Sequence, residues 1–288
     1  MRLDNASHLL TDAYQARSLS RDELPYGVLL CLFNRHRELS HLHCTLGDHS
    51  CFSRVVRHTS PNLRTLDVEF AHSNHREAVN DVVSVFGLLG NTLERLSLGH
   101  HASHSEVEMD FSWELRNAFE RLLRQSSRPG PVLPKLKALT LRALDFELEH
   151  LFHPVSKIVD LTNLTRLDLA NCNGIITFFS DLALSKLQLL KLQHLGLNCS
   201  EQYHEPVEED EVTTAIGYLR NVVVSPTLES LHIAGPAWVD GRRLSEPMAP
   251  MEKPNLLSFS VHEDRNLPDE VGLTEGKCLY FLTVSYVT

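Results

Sequence analysis

Histidine is the residue type in this chain with the clearest capacity for chemistry, since 17 of the 288 residues are histidines. His100, His101 and His104 fall within one short polar segment, and imidazole nitrogens at such spacing are able to bind zinc. No second cluster of ligands at metal-site spacing accompanies them, so we interpret the segment as a surface loop that follows a strand. A zinc site is the alternative interpretation, and we expect neither a metal nor a cofactor.

Motifs of catalysis are missing from the sequence. It has no glycine-rich phosphate loop, no Gly-x-Ser-x-Gly turn and no His-Glu-x-x-His helix. No nucleophile stands with a base at a recognisable spacing. We therefore expect no catalytic residues, and we expect that the protein is not an enzyme.

The six cysteines are scattered and form no Cys-x-x-Cys pair. The polar N-terminal stretch has no apolar core of a secretory signal, so we interpret the cysteines as reduced thiols of a cytoplasmic or nuclear protein. A disulfide between Cys44 and Cys51, like that of some extracellular repeat proteins, is the alternative. The net charge of −10 disfavours nucleic acid and anionic membranes as partners, because both require a basic surface.

The elements that would position any site come from a repeated pattern, Leu-x-x-Leu-x-Leu. Three of the eight intervals between its copies are 28 residues, a period within the range of leucine-rich repeats, in which a short strand is followed by a helix or 3₁₀ turn. Reading apolar residues at the first, fourth and sixth places, nine copies begin at Leu39, Leu63, Leu93, Leu136, Leu164, Leu192, Leu228, Leu256 and Leu279.

Helical spacing of apolar residues between the copies predicts crossover helices, and strand–helix–strand connections imply a parallel sheet. The fold class expected is α/β: a leucine-rich-repeat solenoid, or horseshoe, of about nine repeats with a parallel concave sheet and convex helices. Residues 1–38 are expected to form an N-terminal helical cap, and residues 39–288 the repeat domain. The helical positions are Val79, Val82, Val83, Phe86 and Leu89, then Leu115, Phe119 and Leu122, then Val212, Ile216, Leu219 and Val223.

Two intervals are longer than the others. The interval from Leu93 to Leu136 ends in a proline-glycine loop, and the interval from Leu192 to Leu228 carries an acidic run at residues 201–211. Mutual repulsion of its carboxylates predicts a solvated loop that leads into a helix. A calcium site or a partner site is the alternative there.

The outward positions of the strands are the candidate binding surface, because side chains alternate in a strand and the leucines face inward. The same alternation predicts that Leu167 and Leu169 are buried and that Asp168 between them is exposed. Solubility alone is the other explanation of the polar outward positions, and Arg166 and Asp168 are candidates to pair with each other. The outward residues best suited to directional contact with a protein on the concave face are Arg95, Arg166, Asp168, His194 and His232.

The most regular copy, LTRLDLANCNGI, has Cys172 at the ninth place, where leucine-rich repeats carry Asn or Cys, and Ile175 three residues later. With phrases such as SPNLRTLDV, GNTLERLSL and LPKLKALTL, it resembles the ribonuclease-inhibitor-like repeats of divergent fungal F-box/leucine-rich-repeat proteins. That resemblance implies the substrate receptor of a cullin–RING (SCF-type) ubiquitin ligase, with a ligase adaptor as a further partner.

The F-box signature itself is incomplete. Residues 24–33 give Leu24-Pro25-Tyr26-Gly27-Val28-Leu29, with glycine in place of the acidic residue of the family. We interpret this segment as part of the cap, a degenerate F-box remnant at most. The expected function is a non-enzymatic protein-binding scaffold, and the alternative is a regulator or inhibitor of another protein with no ubiquitin link.

Overall fold

The computed structural model describes residues 40–46, 52–59, 62–70, 75–100, 105–126, 129–147, 151–199, 209–234, 238–239, 242–243, 258–263 and 280–284. The predicted cap at residues 1–38, with the F-box-like segment 24–33, lies outside the described residues. So do Cys51, His101, His104 and most of the acidic run. The chain divides into two compact units, Met1–Asp160 and Leu161–Thr288.

The first unit alternates strands and helices. Its four strands are parallel and hydrogen-bond in chain order, β1 to β2 to β3 to β4. The elements are β1 His41–Leu46, α1 Phe52–Thr59, β2 Thr65–Phe70, α2 His75–Val83, α3 Phe86–Leu89, β3 Arg95–His100, α4 Ser105–Gln125, β4 Ala138–Arg142 and α5 Phe152–Ile158.

The second unit repeats the arrangement after a 3₁₀ turn at Leu161–Asn163. Strands β5, β6, β7 and β10 are parallel neighbours in that order, while β8 and β9 form a separate antiparallel pair. The elements are β5 Arg166–Cys172, α6 Ile175–Leu184, β6 His194–Cys199, α7 Glu209–Val224, β7 Ser230–Ala234, β8 Trp238–Val239, β9 Arg242–Arg243, β10 Ser258–Glu263 and β11 Tyr280–Val284.

The last strand corrects the sequence prediction. The ninth copy of the pattern, at Leu279, forms β11, which runs antiparallel to β10. The leucine pattern fixes which side chains face inward, and this alternation is the same in parallel and antiparallel strands. An antiparallel neighbour satisfies the backbone groups at the edge of β10 as well as a parallel one does. The prediction of nine parallel strands is therefore wrong at the ninth.

The leucine pattern sets where the described strands begin and what they bury. Strands β2 to β7 each start two residues after the first leucine of a copy, and those leucines have no exposed surface from Leu63 to Leu228. Within each strand the alternate residues are buried, as Leu167 and Leu169 show. The α/β class, the parallel strands and the inward leucines of these copies are confirmed.

The predicted apolar stripes of the crossover segments pack into the core. In α2 and α3 all five predicted positions are buried, and in α4 the three predicted positions are buried as well. In α7 Val212, Leu219 and Val223 are buried, whereas Ile216 is half-buried. The apolar stripes therefore serve as the contact between helices and strands.

A backbone contact recurs just before the strands. The carbonyl of Ser40 accepts hydrogen bonds from the N–H groups of Arg64 and Thr65, at 2.7 and 2.9 Å. In the second unit the carbonyl of Thr165 accepts from Gln193 and His194 in the same way, at 2.8 and 3.0 Å. Because one carbonyl oxygen accepts from two N–H groups at the start of the next strand, the starts of neighbouring strands stay aligned. The outward residues of these strands therefore lie in columns.

Candidate functional site

The open face of each unit is the side of its strands that carries the outward residues. In β1 the exposed residues His41 and His43 alternate with buried Leu42 and Cys44. Strands β2 to β7 follow the same alternation with exposed or half-buried outward residues, except at Gly99, which is buried. Parallel pairing in register places equivalent residues side by side, for example Thr65 beside Arg95. The open face is thus a regular surface of polar columns.

Four of the five predicted contact residues lie on three neighbouring strands of the second unit. Arg166 pairs in register with His194, and Asp168 and His232 both lie opposite Gly196 of β6. The fifth, Arg95, belongs to the first unit, where it lies exposed between Thr65 and Ala138. The structure therefore brings together the second-unit residues only.

Arg166 and Asp168 form an ion pair, as the sequence suggested. Nε of Arg166 lies 2.6 Å from Oδ2 of Asp168, and the side chains are 56% and 21% exposed. The prediction that Asp168 is exposed is wrong in degree, because the carboxylate is paired and lies against the backbone of β6. Arg166 keeps more of its surface in solvent and remains the more accessible partner.

Gly196 makes room for that carboxylate. A Cβ atom at Gly196 would overlap Oδ1 of Asp168, so any larger residue there would displace the Asp168 side chain. The Asp168 carboxylate occupies the space that a side chain on Gly196 would fill, and His232 of β7 lies opposite the same glycine. The second unit therefore presents Arg166, His194 and His232 on three adjacent strands, with the Asp168 carboxylate over Gly196.

The first unit holds an ion-pair network that the sequence did not predict. Nη2 of Arg142 lies 2.6 Å from Oδ1 of Asp67, and Nη1 lies 3.3 Å from Oε1 of Glu69. The other carboxylate oxygen of Asp67 lies 2.8 Å from Nδ1 of His43. The network links β1, β2 and β4 across the open face.

Gly99 on β3 allows this contact between strands that are not neighbours. A Cβ atom at Gly99 would stand 2.6 Å from Cβ and 2.9 Å from Nε of Arg142, so the arginine lies across the glycine to reach β2. The sequence signal for this contact lies at the sixth residue after the first leucine of each copy, which forms a third outward column. In the first unit that column reads Thr45, Glu69, Gly99 and Arg142.

His100 corrects the interpretation of the histidine segment as a surface loop. It is the last residue of β3, it is buried, and its ring centroid lies 5.8 Å from that of Phe111. It pairs in register with Phe70, so it falls on the inward face of the strand. Among the described residues, no group of three His, Cys, Asp or Glu side chains is placed to hold a metal ion.

The cysteines that the structure describes as thiols are buried. Burial, with a smaller contribution from the nearby Asp67 carboxylate, raises the pKa of Cys44 to about 12, so its thiol is protonated and a poor nucleophile at neutral pH. Sγ of Cys172 lies 3.5 Å from the carbonyl oxygen of Ala170, its donor-acceptor partner at the end of β5. The Cys172 thiol therefore contacts a backbone group where the chain leaves β5.

The chain has no match among protein-family models, among curated proteins or among solved structures. Of the helices in the described part of the chain, none combines the length and the apolar character needed to cross a membrane. The open face offers ion-pairing and hydrogen-bonding side chains at fixed spacings, a chemistry suited to recognition of another macromolecule.

Proposed function

We propose that the protein is a non-enzymatic protein-binding scaffold whose contact surface is the open face of its strands. The observation that supports this function is the arrangement of side chains on that face. Polar side chains stand in columns at the spacing of the strands, and the opposite side of the strands is closed by buried leucines. Strands hold such side chains in place before a partner arrives. A prepositioned surface loses little conformational entropy on binding.

Arg166 and Arg95 are the residues to which we assign the main contacts. Both guanidinium groups are exposed, and arginine binds carboxylates through two parallel hydrogen bonds. Asp168 orients Arg166 through their ion pair, and His194 and His232 add donors on the next two strands. The expected partner surface carries acidic side chains opposite the arginines.

The acidic run at residues 201–211 has a secondary role in this function. Its described residues Glu209 and Asp210 are exposed at the first turn of α7, where a helix favours negative charge. Charges at the margin of an interface change the association rate and its salt dependence more than the affinity. The remainder of the run lies outside the described residues.

The specific form that we propose is the substrate receptor of a cullin–RING ubiquitin ligase, on the resemblance of the repeats to F-box/leucine-rich-repeat proteins. In this form the strand–helix units are leucine-rich repeats, and the predicted horseshoe of about nine repeats is its structural expectation. Small-angle X-ray scattering of the whole chain tests the horseshoe. The alternative, an inhibitor of another protein, has the same surface and lacks the ligase adaptor.

Affinity purification of the full chain from cells tests both levels of the function. Wild type is compared with Arg166→Glu/His232→Glu and with the control Lys157→Glu, an exposed charge reversal on α5. We expect a recurrent protein partner that the double variant loses and the control keeps. Recovery of the ligase adaptor with the wild type and both variants supports the receptor. A partner retained by the double variant rules out the open face of the second unit as its site.

A further inference from the structure

A cleft in the second unit lies apart from the open face, between the end of α6 and the helix α7. Its volume is about 570 Å³, within the range of ligand sites in proteins. Its walls are largely aliphatic, with one aromatic ring. The apolar lining includes Leu187, Leu189, Leu190 and Val222 beside the Tyr218 ring, and the uncharged polar lining residues are Gln188, Asn221 and Ser225.

Exposed apolar side chains lie in the cleft lining and next to it in the sequence. Leu190, which lines it, is 63% exposed, and Leu184 and Val224, next in sequence to lining segments, are 71% and 56% exposed. Five large apolar side chains are exposed among the described residues, and Leu184, Leu190 and Val224 are three of the five. Large apolar side chains exposed in and next to a cleft are typical of sites of interaction.

Lys186 carries the one charge among the ten described residues that line the cleft. Its backbone is left-handed, with φ of 55°, a conformation that glycine adopts without cost and lysine does not. The N–H of Lys186 donates to Ala183 and that of Leu187 donates to Leu182, at 3.0 and 3.3 Å, which closes the end of α6 in the manner that favours glycine at this position. A lysine therefore occupies a strained position at the edge of an apolar cleft.

Tyr218 supplies the aromatic ring of the cleft, and its hydroxyl is already engaged. The hydroxyl of Tyr218 donates to the carbonyl oxygen of Leu187 at 2.8 Å. Burial raises the pKa of Tyr218 to about 12, so the phenol stays neutral at physiological pH. The charge complementarity of the cleft is thus set by Lys186, and it favours an anionic group beside apolar side chains.

We propose that this cleft is a second docking site, for a peptide segment that places two large apolar side chains next to an aspartate or glutamate. The apolar side chains contact Leu187, Leu190 and Val222, and the carboxylate pairs with Lys186. The site goes beyond the scaffold function proposed for the open face, because it uses other elements and a different chemistry. The protein would then hold two segments at once, one on each side.

Selection of random dodecapeptides displayed on phage, with the full chain as target, identifies what the cleft accepts. The selected peptide is then titrated against variants by fluorescence anisotropy. Lys186→Glu is expected to weaken it at least about tenfold, since a charge partner becomes a repulsion. Lys191→Glu is the matched control, an exposed lysine outside the lining whose Nζ contacts Asn163 at 2.5 Å, and we expect a change within about twofold.

The outcomes are distinct. Enrichment of peptides with apolar pairs beside Asp or Glu, weakened by Lys186→Glu and by Leu190→Asp, supports the site. No enriched consensus, a basic or uncharged one, or equal effects of Lys186→Glu and Lys191→Glu overturns it. Peptide binding lost in Arg166→Glu places the peptide on the open face and also overturns the cleft. Arg166→Glu that removes the protein partner yet keeps the peptide shows that the two sites are separate.

Discussion

Arg142 and Asp67 are 75 residues apart in the sequence, yet Nη2 of the arginine lies 2.6 Å from a carboxylate oxygen of the aspartate. The contact passes over β3, whose Gly99 has no side chain to obstruct it. Asp168 lies over Gly196 in the second unit in a comparable way. In both units, then, a glycine on the open face gives a charged neighbour room to lie flat.

Removal of the arginine tests how much this contact contributes to folding. Arg142→Ala leaves the Asp67 and Glu69 carboxylates close together and without their shared guanidinium, so we expect a loss of about 1–3 kcal/mol in the free energy of unfolding. Urea denaturation measures it. The control is Arg124→Ala, whose exposed arginine pairs with Glu120 within one helix and which should cost no more than about 0.5 kcal/mol. Equal losses in the two variants would show that the network is only a surface ion pair.

A methyl group at Gly99 should have a related effect. Gly99→Ala places a Cβ against the Arg142 side chain, and the resulting overlap is expected to cost about 1–3 kcal/mol. In contrast, Gly217→Ala on α7 meets no atom within 4 Å and should stabilise the protein by about 0.5–1 kcal/mol, as alanine does in helices. Combining Gly99→Ala with Arg142→Ala should give less than the sum of the single losses, because Gly99→Ala already displaces the Arg142 guanidinium, although the contact with the Cβ atom at position 142 remains in alanine. Full additivity would mean that the glycine and the arginine act independently.

The fold was more predictable than the network on its surface. Leucines at fixed spacing specify which face of a strand is buried, so the strand positions followed from the sequence. Strand direction did not, because side-chain alternation is the same in parallel and antiparallel strands, so the strand at the ninth copy was predicted with the wrong direction. The burial of His100 was not predicted because β3 continues one residue beyond the expected start of the loop.

The candidate site was predictable only where partners are close in sequence. Arg166 and Asp168 are two residues apart on one strand, and their pairing was foreseen. The contact of Arg142 depends on three strands and on a glycine in the middle one, so it needs the register of the sheet. Glycines in outward columns next to charged residues are the sequence signal that would have indicated both arrangements.

The register of β5 has its own test. Leu167→Ala should destabilise the protein by about 2–5 kcal/mol, because the leucine is fully buried and a cavity would remain. Asp168→Ala on the adjacent outward position should cost no more than about 1 kcal/mol, since its main ion pair is partly solvated. Thermal denaturation of both variants compares them directly. A larger loss for Asp168→Ala would mean that the carboxylate is a structural element of the sheet.

Replacing Lys186, whose backbone conformation is strained, with glycine should stabilise the protein. Lys186→Gly relieves a left-handed backbone conformation that costs other residues about 1–2 kcal/mol, so the melting temperature should rise even after the larger chain entropy of unfolded glycine is counted. Lys186→Ala keeps the strain and should leave stability near that of wild type. A melting temperature that falls in Lys186→Gly would show that the lysine side chain stabilises the end of α6 by more than the backbone strain.

Alkaline pH should destabilise the folded chain through Cys44. Below pH 9 the thiol is protonated in both states, and above pH 9 the unfolded thiol ionises while the folded one keeps its proton up to about pH 12. The folded state therefore binds more protons in this window, and its stability falls as pH rises from 9 towards 12. Cys44→Ala lacks this titration, so its stability, lower at pH 7 because a buried sulfur is lost, should approach that of wild type as pH rises. Urea denaturation from pH 7 to 10.5 measures the difference, and parallel curves for the two chains would show that the Cys44 thiol has an ordinary pKa in the fold.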